Sequence, residues 1–201
     1  MAGRRRGARS GRGWDAAPPR ARATPAQARP AAQPEERDEA EQAREICLKQ
    51  LAVRPRTRAE LAAALAKRGI SAEVAGEVLD RYDEVGLIDD AAFARAWVSS
   101  RHHGRGLARR ALASELRQHG VDAETAGAAL EDLDPDTEAA TARALVDRKL
   151  RTATGAPDAV FRRLVGMLAR KGYPPGVAIR AVKDAMADLP DDIDEDAFIG
   201  E

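Results

Sequence analysis

Apolar residues along this chain recur at helical intervals and almost never alternate, so helices are expected and strands are not. The pattern is clearest in three segments that align without gaps. Leu61, Leu65, Arg68, Gly69 and Ile70 match Leu112, Leu116, His119, Gly120 and Val121, and again Leu164, Leu168, Lys171, Gly172 and Tyr173. Two leucines four apart lie on one helical face. The basic or imidazole residue falls in the last turn, where it complements the helix dipole. Gly then supplies the left-handed residue that ends the helix, and the next apolar residue packs back. Ser71, Asp122 or Pro174 opens the helix that follows.

The copies start 51 and 52 residues apart, which leaves room for three helices per copy. The first repeat, residues 36–86, is expected to hold helices at 36–53, 57–68 and 72–85, the first stopped by Pro55 and the second opened by a Thr57/Glu60 capping box. The second, 87–134, is expected to hold helices at 90–102, 106–119 and 122–133. The third, 135–189, is expected to hold helices at 136–151, 158–171 and 175–189. Ile46 and Cys47 precede Leu61 by the same spacing as Trp97 and Val98 precede Leu112, so Cys47 reads as a small core residue. The third repeat keeps this register less well, with Leu145 and Leu150 near the equivalent place and a longer loop through Gly155. The fold class is therefore all-α: three tandem three-helix repeats, helix-turn-helix-like, in an elongated, curved array. Helix 122–133, with Ala126, Gly127, Ala128 and Ala129, looks thinly packed.

Composition changes this picture mainly at the two ends. Residues 1–35 are rich in Arg, Ala, Pro and Gly with no apolar period, a composition that cannot bury enough surface to offset ordering entropy, so a disordered tail is expected. Its Arg/Gly run resembles segments that contact nucleic acid backbones, but the reading preferred over that one is a solvated extension with no dedicated role. Residues 190–201 form an acidic tail. Aromatic residues make up 3% of the chain, so the core must be built from Leu, Ala, Val and Ile. With Cys47 as the only cysteine, no internal disulfide can form and a reducing, cytoplasmic setting is expected. No apolar run approaches the roughly 20 residues that span a bilayer.

Chemistry for catalysis is hard to find. Three histidines (His102, His103, His119) and one cysteine give no metal-ligand spacing, and no nucleophile stands beside a base. Asp89 and Asp90 read as a helix cap and a first-turn acid. Gly104-Arg105-Gly106 is too short for a phosphate loop. No enzyme activity, cofactor, metal or small-molecule substrate is expected. The charge layout points instead to macromolecular binding. Each middle helix carries a net +3: Arg56, Arg58, Lys67 and Arg68 against Glu60; Arg105, Arg109, Arg110 and Arg117 against Glu115; Arg162, Arg163, Arg170 and Lys171 against Asp158. The helices at 72–84 and 122–134 are acidic, which argues against a second helix reading DNA, since each carboxylate near a phosphate is repulsive by about 1 kcal/mol even in water. The cations just named, with Arg101, are the candidate partner-binding residues.

The run Gly86, Leu87, Ile88, Asp89, Asp90, Phe93, Ala94 and Trp97, followed by Arg101 and by Leu112, Leu116, Gly120 and Val121, resembles the RecX family of regulatory proteins. The upstream Arg56, Thr57, Arg58, Glu60 and Leu61 fit the same pattern, and the resemblance covers about residues 40–188. It implies a non-catalytic protein of tandem three-helix repeats. It also implies a partner, the RecA filament on single-stranded DNA, whose ATP hydrolysis, strand exchange and co-protease activity it would damp, by coating the groove or capping the end. Contact with single-stranded DNA, a monomeric state and no membrane association go with that expectation. The alternative from the residues alone is a non-sequence-specific nucleic-acid-binding helical-repeat protein, or a passive scaffold.

Overall fold

The computed structural model describes residues 34–188, so the expectations for the two tails lie outside the described residues. Over those residues the chain folds into helices α1 (Pro34–Leu51), α2 (Arg58–Lys67), α3 (Ala72–Glu84), α4 (Asp90–Arg105), α5 (Arg109–Gln118), α6 (Ala123–Glu131), α7 (Pro135–Leu150), α8 (Pro157–Arg170) and α9 (Pro175–Ala187). They form three triplets, and the main helix-against-helix packing stays within each triplet. The paired leucines of the middle helices are the innermost residues: Leu61, Leu65, Leu112, Leu116 and Leu168 are fully buried. Each contributes about 1.5–3 kcal/mol on leaving water. The first helix of every triplet closes on this core with small side chains in register, Ala43/Ala94/Ala142 and Cys47/Val98/Val146, all buried. Cys47 is thus a core residue, and burial pushes its thiol pKa up.

Helix ends follow the sequence cues. Thr57 Oγ1 accepts the Glu60 amide at 3.1 Å while Glu60 reaches back to the Thr57 amide, completing the capping box. Asp89 caps α4 through the Ala92 amide at 2.7 Å, and Asp122 caps α6 through the Thr125 amide at 2.9 Å. Gly69, Gly120 and Gly172 all adopt positive φ, between 75° and 92°. Ile70, Val121 and Tyr173 fold back beside them with their amides on the carbonyls of Leu65, Leu116 and Leu168.

Three local features differ from expectation. Helix α4 runs three residues past 102, because Gly104 stays helical and Gly106 (φ 62°) is the residue that ends it. The buried His102 secures that extra turn, with Nδ1 2.9 Å from the Leu107 carbonyl and Nε2 2.9 Å from Thr141 Oγ1 in α7. Helix α5 begins at Arg109, three residues later than expected, because Gly106 ends α4 and Ala108 is the residue that opens α5, whereas α8 opens on Pro157, within a residue of expectation. Finally, Leu145 and Val146 hold the places of Ile46 and Cys47, which fixes the register of the third repeat. The Ala-rich α6 buries Ala126, Ala129 and Leu130 in the second core; its small side chains face Phe93 and Val98.

Candidate partner-binding surface

The repeats meet through one joint used twice. In each, the C-terminus of a middle helix abuts the N-terminus of the preceding repeat's middle helix. At the first joint Thr57 Oγ1 donates to the His119 carbonyl at 2.6 Å, and the Arg58 amide donates to Asp90 Oδ1 at 2.9 Å. At the second, the Ala108 amide donates to the Lys171 carbonyl at 2.9 Å and the Arg109 amide to Glu138 Oε1 at 2.8 Å. Gly120 sits so close to Ala59, and Gly172 to Ala111, that a Cβ on either glycine would overlap the neighbouring helix. A carboxylate at the free N–H end of a helix meets both an unpaired donor and the positive pole of the dipole.

These joints gather charge. Glu60 accepts from Arg54 at 3.0 Å and lies 3.1 Å from His119 Nδ1 and 3.7 Å from Arg56. Burial pushes the Glu60 carboxyl up, but the bonds from Arg54 and His119 outweigh it and hold the carboxyl below its ordinary value. Burial pushes Asp90 above the usual carboxylate range, with Asp83 and Asp122 nearby adding to it against the Arg58 amide bond. At the second joint Lys171 Nζ donates to the Arg105 carbonyl at 2.5 Å, and Tyr173 donates its hydroxyl to the Gly106 carbonyl at 3.2 Å. Burial, then the charges of Arg148 and Arg105, lower the Lys171 pKa; burial and Glu138 push Tyr173 up to about 12. Cations crowded in this way are stabilised by an incoming phosphate or carboxylate.

Beside the first joint lies a cleft of about 540 Å³, lined by Leu51, Leu87, Phe93 and Trp97 together with Arg54 and Arg56. Arg101 stands over the Trp97 ring, 4.1 Å from its centroid, a cation–π distance. His119 meets the same ring edge-on at 4.2 Å, and Trp97 Nε1 donates to Glu115 at 2.8 Å.

The candidate cations therefore divide. Arg56 lines the cleft, Arg101 stands over the Trp97 ring, and Arg105 and Lys171 meet at the second joint. Arg58 is engaged inside its own repeat by Asp80 and Asp83 of α3. Arg109 donates to the Leu133 carbonyl, so it holds α5 to the end of α6 as well as lying on a basic helix. Lys67, Arg68, Arg110, Arg117, Arg162, Arg163 and Arg170 are exposed. Sequence reasoning missed Arg54, which lies in a linker, and Arg148, which lies on a first helix. It also missed the joint carboxylates, although Glu39, Asp90 and Glu138 each stand four residues before the small residues Ala43, Ala94 and Ala142.

Taken together, the architecture is one of tandem three-helix modules, with cations gathered at both of the places where modules meet. Descriptions of the first, second and third three-helix domains of RecX match residues 43–81, 89–130 and 136–182. The chain belongs to the RecX family of regulatory proteins. It is 58% identical to the regulatory protein RecX of Streptomyces coelicolor over 157 residues, covering 78% of this chain and 84% of that one. It is 58% identical to the Thermobifida fusca protein over 145 residues (72% and 78%) and 52% identical to the Mycolicibacterium smegmatis protein over 152 (73% and 81%). The crystal structure of RecX from Lactobacillus salivarius shares the fold with a TM-score of 0.69 at 17% identity, covering 75% of this chain and 99% of that one. A second RecX crystal structure superposes with a TM-score of 0.65 at 22% identity, covering 75% and 74%. No described helix is long and apolar enough to cross a membrane.

Proposed function

We propose that this chain is a non-catalytic cytoplasmic regulator that binds the RecA filament on single-stranded DNA as a monomer. It inhibits ATP hydrolysis, strand exchange and co-protease activity, and so acts in DNA recombination, repair and the SOS response. Membership of a family of regulatory proteins supports this reading. The observation that carries the contact surface is the crowding of Arg105, Arg148 and Lys171 at the second joint, where the exposed Arg110 stands in the first turn of α5. The working units are residues 36–86, 87–134 and 135–189, and the contacts come from the thirteen cations named from the sequence, joined by Arg54 and Arg148.

The test titrates the protein into RecA assembled on single-stranded DNA and follows ATP hydrolysis. A fall in turnover well below equimolar protein supports a specific regulator. A fall only near saturation of the strand, lost steeply with salt, favours the general nucleic-acid-binding reading. No effect at any ratio refutes the regulatory one. Reversing Arg105, Arg109 and Arg110 together would confound such a test, because Arg109 holds the end of α6. Arg105→Glu with Arg110→Glu leaves that bond intact.

A further inference from the structure

The joint that links the repeats has three copies of its receiving half and two of its inserted half. The receiving half is a carboxylate on the first helix, a carbonyl at the end of the middle helix, and the glycine after it. Asp90, His119 and Gly120 receive α2; Glu138, Lys171 and Gly172 receive α5. The same register in the first repeat gives Glu39, Arg68 and Gly69. No repeat precedes them among the described residues.

The first repeat keeps the geometry of a receiver. Gly69 has φ 82°, against 75° and 92° at Gly120 and Gly172. A Cβ at Gly69 would meet nothing within 4 Å among the described residues, whereas at the other two it would overlap a docked helix. Arg68 is exposed, and the Glu39 carboxylate is held at the turn that follows it, accepting the Ser71 amide at 2.5 Å and the Ser71 hydroxyl at 3.2 Å. A carboxylate has about four lone-pair sites, so Glu39 retains capacity for another donor. Glu35, Asp38 and Glu41 surround it on α1, a setting that favours the positive end of a helix dipole.

We propose that Glu39, the Arg68 carbonyl and Gly69 form a docking site for the N-terminal turn of a helix supplied by a partner protein. By continuity with the two joints, that turn has a cap residue able to donate to the Arg68 carbonyl and a free amide at its first position for Glu39. It has a small residue within the first turn to lie against Gly69, and an acidic residue to meet the Arg68 guanidinium as Glu60 meets His119. A second copy of this chain does not fit. The middle helix whose N-terminus is not inserted in a joint among the described residues, α8, opens on Ala156 and Pro157, which has no amide to give Glu39, and then Asp158. The α1, α7 and α9 starts carry proline in the same way.

The probe is a side-chain-stapled helical peptide of residues 56–68 of this chain, followed through the backbone amide resonances of the full-length protein. Saturable shifts are expected at Gly69, Ile70 and Ser71, with binding at least about tenfold weaker for the same peptide carrying Arg58→Pro. Gly69→Asn abolishes the response, since asparagine tolerates positive φ but places a Cβ where the helix must sit. Gly86→Asn, at the open positive-φ turn after α3, leaves it intact. No shift at millimolar peptide, or equal response to the proline peptide, overturns the proposal. So does self-association sensitive to Gly69→Asn, which would assign the face to a second copy. The same variants on RecA filaments separate this inference from the proposed function. A wild type that responds to the peptide but ignores the filament supports the docking face and refutes the regulatory reading. Filament binding weakened about tenfold by Gly69→Asn alone places the helix on that partner.

Discussion

Replacing Gly172 with alanine tests whether the repeats are held by backbone-to-backbone approach. Its φ of 92° imposes a cost on any side chain, about 1–2 kcal/mol. The added Cβ would also lie 2.6 Å from the Ala111 amide nitrogen and 2.8 Å from the Ala111 Cβ. Helix α5 must then move, a form of overpacking that costs about 1–3 kcal/mol more. Gly69→Ala carries the first cost without the second, because its Cβ meets open space among the described residues. Urea unfolding followed by far-ultraviolet circular dichroism is expected to show a loss of about 2–5 kcal/mol for Gly172→Ala and about 1–2 kcal/mol for Gly69→Ala. Since repeat stability is a sum of unit and interface contributions, Gly172→Ala is also expected to split the transition as the third repeat melts separately. Equal losses in the two variants would refute the reasoning, for then the glycine conformation alone would matter and the joint would contribute nothing.

Asp90→Ala leaves the Arg58 amide without its acceptor and is expected to cost about 1–3 kcal/mol in the same assay, while Asp90→Asn, which keeps an oxygen there, costs clearly less; equal costs would mean the bond is idle. Glu60 has its folded pKa below its unfolded value, so its contribution is present above about pH 4.3 and fades as the pH falls through the folded value. The stability gap between wild type and Glu60→Gln should therefore shrink as the pH falls below about 4.3, and a constant gap would remove Glu60 from the account. Arg105→Glu with Arg110→Glu should leave helical content unchanged while weakening inhibition of RecA turnover; intact inhibition would place the contact surface elsewhere. Arg101→Ala removes the cation over Trp97 and should alter the tryptophan emission without unfolding the chain, a readout absent if the pair does not form in solution.

Much of this architecture was legible because each repeat carries its own punctuation. The Leu-x3-Leu spacing fixed the buried face, and Gly69, Gly120 and Gly172 marked the stops. The α4 boundary was misread because two glycines, Gly104 and Gly106, lie two apart, and only the anchoring of His102 decides which one ends the helix. The start of α5 follows from the same ambiguity: with α4 taken to end at 102, the residues from Gly106 read as helix, whereas α5 opens at Arg109. Charge was the least legible feature. Net +3 on a helix says nothing of where each cation is engaged, and Arg58, Arg109 and Lys171 prove to be held by groups distant in sequence. An internal period identifies equivalent positions; it does not say which of them touch across a joint.

Each joint sets main-chain groups (a carbonyl at one helix end, an amide at another, and a glycine with no side chain to obstruct them) against one carboxylate from a first helix. Their side-chain partners already differ within this molecule, Thr57 against Ala108, His119 against Lys171, Asp90 against Glu138. Such a connection tolerates drift, because beyond a carboxylate and a glycine its needs are met by backbone atoms that many residues supply. Modules joined in this way are interchangeable parts: a repeat could be exchanged for a divergent counterpart, and its outer surface rewritten, while the coupling between neighbours stays the same.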